Sequence, residues 1–283
     1  MKTSSLVGTG LLLVCGLAVA LTGCGHGTTL TEGAPSGAAK GRPRALPADP
    51  SGGTGTGIAA IKQAADAGKY LFLFFFKAED DQTLAMRKVL DKAMERATDR
   101  AQSVAVNITD ASAKAVVDQF DLSRAPMPLV LAMAPNGAIT GGFPAKFSEQ
   151  QLLDAFASPG TEKVMKQLQD GKLVFVCVQN DKTRSNDAAM QGVREFKADG
   201  RFASATEIVT IDPSDKRETG FLTKLKVSSD IAEATTVFVV PPGTAIGKFA
   251  GETNKDVLVE VLGNANTGCG PGGCGPGGCG PKK

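Results

Sequence analysis

Tryptophan is absent from the 283 residues, tyrosine occurs once, at Tyr70, and histidine once, at His26. His26 sits in a stretch with no apolar periodicity, so histidine-based catalysis inside a folded domain is excluded, and Ser-His-Asp and Cys-His hydrolases with it. A net charge of +2, with no basic run and no basic–aromatic interleaving, excludes nucleic acid as the expected partner. After the N-terminal apolar run, no stretch is long enough to cross a membrane as a helix. Paired cysteines are missing from the body of the chain. The six cysteines are Cys15, Cys24, Cys177, Cys269, Cys274 and Cys279, so packed cores and not cross-links must hold the folded parts. An apolar content of 42% is sufficient for such cores.

The first residues combine Lys2, a short apolar run from Leu11 to Leu21 and a small-residue end, which is the pattern of a secretion signal. The run closes on Leu21-Thr22-Gly23-Cys24. This resembles the lipobox of bacterial lipoproteins, which implies cleavage after residue 23 and acylation of Cys24. Gly25 follows where an aspartate is associated with inner-membrane retention in some bacteria. In an organism with two membranes, attachment on the periplasmic side of the outer membrane is therefore expected. Residues 24–57 are rich in Gly, Pro, Ser, Thr and Ala. They read as a lipidated, flexible tether with an r.m.s. span on the order of 30 Å.

Residues 58–158 alternate helical and strand signals. Ile58, Ile61 and Ala65 suggest a helix. Tyr70 to Phe76 is a continuous apolar run, as in a strand buried on both faces. Met86, Leu90, Ala93 and Ala97 return to helical spacing, Val104, Val106 and Ile108 alternate, and Ala113, Val116, Val117 and Phe120 are helical again. Leu129 to Met133 is a second buried strand, Asn136-Gly137 a hairpin turn, Gly137 to Phe143 an edge strand, and Leu152, Leu153 and Phe156 a closing helix. The order α-β-α-β-α-β-β-α resembles a thioredoxin-like domain. Phe75-Phe76-Lys77-Ala78-Glu79 matches the strand end before that family's active-site turn. Ala125-Pro126-Met127-Pro128-Leu129 matches its cis-proline loop, with Pro128 in the proline's place. A cis Met127–Pro128 bond is what this resemblance implies.

Residues 159–264 repeat the order more weakly, through Leu173 to Val178, Ala189, Val193 and Phe196, Ile208 to Ile211, a helix around Phe221 to Leu225, Thr236 to Val240, a Pro241-Pro242-Gly243 turn and Ile246 to Ala250. Thr235 is expected where the family's proline would stand. The fold class is thus α/β, with two tandem thioredoxin-like domains between a flexible tether and a Gly/Pro/Cys-rich tail at 265–283.

Thioredoxin chemistry requires Cys-x-x-Cys at a helix N-terminus, where amides and dipole activate the first thiol and the second resolves the mixed disulfide. The corresponding stretches are Asp80-Asp81-Gln82-Thr83 and, in the second domain, Lys182-Thr183-Arg184-Ser185. Neither contains cysteine, so the family's redox activity does not transfer and no catalytic residue or cofactor is assigned. Glu79, Asp80 and Asp81 could form a cation site or a docking patch. Three carboxylates at a helix start are more simply explained by complementing its free amides. Cys177 is read as a small buried hydrophobe between Val176 and Val178 and not as a reactive thiol. Cys269, Cys274 and Cys279 recur every five residues, separated by Gly-Pro-Gly-Gly. They fit either an incidental low-complexity tail or a soft-metal site, Cu(I) or Zn, or redox-active thiols. The expected function is non-enzymatic binding or scaffolding by a lipid-anchored envelope protein, with a membrane contact through its lipid and a protein partner. The alternative is an envelope thiol-redox or metal-handling protein acting through the tail.

Overall fold

The computed structural model describes residues 56–267. The expected signal at 1–23, the lipid site Cys24, nearly all of the tether and the tail thiols Cys269, Cys274 and Cys279 lie outside the described residues. Within them, the element order is α1 (Thr56–Asp66), β1 (Tyr70–Phe76), α2 (Asp81–Glu95), β2 (Ala101–Asn107), α3 (Lys114–Gln119), β3 (Leu129–Met133), β4 (Ile139–Pro144) and α4 (Glu149–Leu153). The same order follows as α5 (Pro159–Gln169), β5 (Leu173–Val178), α6 (Asn186–Ala198), β6 (Thr206–Ile211), α7 (Thr219–Lys224), β7 (Thr235–Val240), β8 (Thr244–Ala250) and α8 (Lys255–Thr267). Each half forms its own four-stranded sheet, ordered β2-β1-β3-β4 and β6-β5-β7-β8. In each, the first pair is parallel and the other two are antiparallel. The chain therefore folds as two tandem thioredoxin-like domains.

The apolar run of β1 is continuous because both its faces are covered. Tyr70, Phe72, Phe74 and Phe76 pack with Leu90, Ala93 and Leu152 of α2 and α4, whereas Leu71, Leu73 and Phe75 pack with Ala60, Ala64 and Val116 of α1 and α3. Alternating Cβ directions divide one strand between two cores. Domain 2 repeats the division. Val174, Val176 and Val178 meet Val164, Phe221 and Leu222, and Phe175 and Cys177 meet Met190, Val193, Phe196 and Leu258.

The duplication extends to local detail. Both C-terminal hairpins carry a bulge at the same step, between Ala132 and Met133 and between Phe238 and Val239. Gly141 and Gly247 each lie under a ring, where an added Cβ would come within 2.6 Å of Phe143 and 2.8 Å of Phe249. The hairpin expected at Asn136-Gly137 forms, but only Gly137 takes a positive φ, of 83°. The Asn136 side chain instead accepts from the Ala138 amide at 3.0 Å and donates to the Glu162 carbonyl at 2.9 Å.

That last bond belongs to a set joining the halves through α5. The Tyr70 hydroxyl donates to Glu162 Oε1 at 2.5 Å and accepts from the Ala157 amide at 2.9 Å. Gln169 bonds both backbone groups of Ile139, at 2.9 and 2.7 Å. Helix α5 is fixed to its own domain by the buried Glu218, which accepts from Ser158 Oγ at 2.6 Å and from the Gly160 amide at 2.8 Å. A carboxylate at this helix start satisfies an amide that has no partner within the helix.

Candidate functional site

In domain 1 three segments converge on the N-terminal end of α2. Asp80 is the N-cap, in extended conformation, and its Oδ1 accepts from the Thr83 amide at 2.7 Å. Hydrogen bonds from Thr83 hold the Asp80 carboxyl below the usual carboxylate range. Thr83 itself is 2% exposed, at the inner position of the four-residue turn. Asp81 lies in the first helical turn, exposed, and Glu79 Oε1 accepts from Arg87 at 3.1 Å. The Arg87 guanidinium lies 4.9 Å from the Phe76 ring centroid and 5.6 Å from that of Phe74. The three carboxylates thus have separate tasks, a cap, a first-turn charge and an arginine clamp. Among the described residues no group of three or more His, Cys, Asp or Glu side chains is placed to share a metal ion.

The Met127–Pro128 peptide is cis, and Pro128 is buried directly before β3. The Pro128 carbonyl accepts from the Ala145 amide at 2.7 Å, and Gln82 Nε2 donates to the Ala145 carbonyl at 3.0 Å. Ala145 therefore links the proline loop to α2, in a left-handed conformation with φ 60°. Met127 is half-buried, and among the described residues neither its N–H nor its C=O has a hydrogen-bond partner. Pro126 and Pro128 carry no N–H, so Met127 supplies the one amide donor in this short run. Leu84, 41% exposed, is at the rim. Sequence reasoning identified Pro128 and the acidic turn but missed Gln82, Ala145 and the open backbone of Met127. Nothing in the side-chain pattern signals an unpaired peptide group.

In domain 2 two sequence expectations shift. Thr235 pairs with Val178 and Ala250 as Leu129 pairs with Phe75 and Pro144. The position of Pro128 therefore falls to Ala234, one residue earlier than expected, whose carbonyl accepts from the Gly251 amide at 2.8 Å. Helix α6 starts at Asn186 with Ser185 as N-cap, so the stretch counted from the cap is Ser185 to Ala188 and not Lys182 to Ser185. The connecting segment before α6 is longer than that before α2, which is why counting from the strand misplaces the turn. Both stretches lack cysteine.

Cys177 is on the α6/α8 side of the domain 2 sheet, 1% exposed and in no disulfide among the described residues. Burial pushes its thiol up to about 11, partly offset by the Thr236 hydroxyl and by Arg194. A reactive cysteine needs thiolate character and access, and Cys177 has neither. Nor does it belong to the domain 1 site, which is built on a different sheet.

Topology defines two thioredoxin-like folds, and the stretches at the starts of α2 and α6 contain no cysteine. No family model matches the chain, and no curated protein does. Solved structures of similar fold include the first two thioredoxin domains of Saccharomyces cerevisiae Eps1p, 12% identical over 76% of this chain and 98% of that one, with a TM-score of 0.27. The same two domains of Naumovozyma dairenensis Eps1p are 8% identical over 78% and 98%, with a TM-score of 0.28. Thioredoxin O2 from Arabidopsis thaliana is 15% identical over 39% and 84%, with a TM-score of 0.29.

Proposed function

We propose that this chain is a lipid-anchored envelope protein that uses domain 1 to bind an extended segment of another protein, without thiol–disulfide exchange. The observation that carries this reading is the contrast within one site. The positions that need thiols hold Asp80 and Thr83, while the neighbouring loop presents the Met127 backbone, which has no partner among the described residues. Carboxylate and hydroxyl groups cannot exchange disulfides, whereas an open peptide edge pairs with another extended backbone. Gln82 and Ala145 link the start of α2 to the proline loop, and the exposed Asp80 and Asp81 at that helix start favour a segment carrying Lys or Arg. Lipid attachment rests on Leu21-Thr22-Gly23-Cys24.

The test places a photo-cross-linking residue at Leu84 in the full chain, in its own envelope, and identifies the product by mass spectrometry. A specific partner whose capture is lost in Asp80→Lys supports the reading. Capture that is indifferent to Asp80→Lys refutes it. So does turnover of insulin disulfides above the dithiothreitol background by the chain with Cys269, Cys274 and Cys279 replaced by serine. The second reading, a tail that handles thiols or soft metal, is favoured by the five-residue recurrence of Cys269, Cys274 and Cys279. It requires Cu(I) or Zn(II) binding that disappears when two of these become serine.

A further inference from the structure

Helices α1 and α5 are counterparts. Each has 11 residues, and each is followed by a glycine at positive φ, Gly68 at 63° and Gly171 at 75°, and then by the first residue of an inner strand, Tyr70 or Leu173. Position by position, Ala59, Lys62 and Asp66 of α1 correspond to Glu162, Met165 and Gln169 of α5. In α1 all three are exposed, and Lys62 and Asp66 pair with each other in solvent at 2.6 Å. In α5 the same face is turned on domain 1. Met165 packs, half-buried, against the core of Tyr70, Phe72 and Leu152. Glu162 accepts from the Tyr70 hydroxyl, and Gln169 holds both backbone groups of Ile139. Val164, on another face of the helix, is buried in the core of domain 2. One helix thus contributes to two cores.

The receiving side differs between the copies at the matching places. Tyr70, the one tyrosine of the chain, stands where domain 2 has Leu173. Asn136, which donates to the Glu162 carbonyl, stands where domain 2 has Pro242. Each precedes the glycine, Gly137 or Gly243, whose amide bonds back to the carbonyl of Ala134 or Val240. Phe156 meets the Tyr70 ring edge-on at 4.7 Å between centroids, and the Arg100 guanidinium lies 3.8 Å from the Phe156 centroid. Duplication by itself supplies none of these groups. Tyr70, Asn136, Glu162, Met165 and Gln169 all differ from their counterparts, and they are the residues that meet.

We infer that α5 is a coupling helix, through which each domain holds the other folded by the same free energy. Each of its bonds to domain 1 has one partner in each domain and is lost when either opens. A free energy shared in this way is reciprocal, so whatever it adds to the opening of domain 1 it adds equally to that of domain 2. The coupling is independent of what domain 1 binds.

Amide hydrogen exchange on the full chain tests this, read at the slowest amides of β1 and of β5. Tyr70→Phe removes one oxygen atom from domain 1. Met165→Lys together with Gln169→Asp gives α5 the residue types of Lys62 and Asp66, which α1 carries while packed on its own sheet. Tyr70→Phe is expected to speed exchange in β5, and the α5 pair to speed exchange in β1, each at least about tenfold. An effect confined in either case to the domain that carries the substitution overturns the inference, and so does no effect at all. Should the double variant not fold, Tyr70→Phe still decides through β5.

Discussion

Cys177 should make this protein lose stability in alkali by an amount its burial sets. Its thiol is raised from an ordinary 9.0 to about 11 in the folded chain. Between those values the unfolded chain gives up the proton and the folded chain keeps it. The folded state then binds more protons, so stability falls as pH rises through this window and is unaffected below it. Each pH unit of displacement corresponds to about 1.4 kcal/mol, so the full effect is about 3 kcal/mol. The other cysteines do not disturb the measurement so long as each titrates alike in the native chain and in Cys177→Val. Tyr70, whose hydroxyl is also raised by burial, is common to both proteins. Urea unfolding of the two proteins at pH 8, 9, 10 and 11 gives two stability curves. The native chain is expected to lose about 2 kcal/mol more than Cys177→Val between pH 8 and 11, because at pH 11 the folded thiol is itself half ionised. Parallel curves would refute the reasoning, and so would modification of Cys177 by iodoacetamide in the folded protein at pH 8.

Other perturbations test the packing around the site. Glu218→Ala removes the acceptor for Ser158 and Gly160 and should cost about 1–3 kcal/mol in urea unfolding, since the Gly160 amide is left buried and unpaired. Gly192→Ala would place a Cβ 2.4 Å from the Thr253 carbonyl oxygen. The oxygen belongs to backbone and the Cβ is fixed rigidly to its Cα, so neither can step aside and a loss of at least about 1–3 kcal/mol is expected, visible as a lowered Tm. Ala145→Gly relieves the left-handed conformation that Gly251 occupies in domain 2, and should raise stability by up to about 1 kcal/mol while leaving the Pro128 hydrogen bond in place.

The elements were legible because their signals are local. The run Tyr70 to Phe76 is apolar at every position, and only a strand covered on both faces explains that. That Glu79, Asp80 and Asp81 stand at a helix start followed from residue type and the helical spacing after them; which of them caps it came from the structure. The misplaced positions in domain 2 have a different cause. Counting from one strand to the next helix presumes equal loops, and the segment before α6 is longer than its counterpart. Thr235 was one residue off because strand register is fixed by pairing with β5 and β8, not by composition. Glu218 gave no sign of its role. A glutamate is ordinarily exposed, and its burial under the start of α5 depends on two segments nearly sixty residues apart.

Sequence alone determined that no cysteine stands in either turn, since residue identity there is independent of the fold. It also determined the duplicated α/β order, since alternating apolar runs and helical spacing are properties of neighbouring residues. Tertiary structure decided the rest: that Cys177 is enclosed, that α5 joins the halves, that Met127 has no backbone partner among the described residues, and that Arg184 ties two loops of domain 2. Each depends on which backbone and side-chain groups meet across long separations, and a hydrogen bond between distant peptide groups leaves no mark on the identity of the residues that make it.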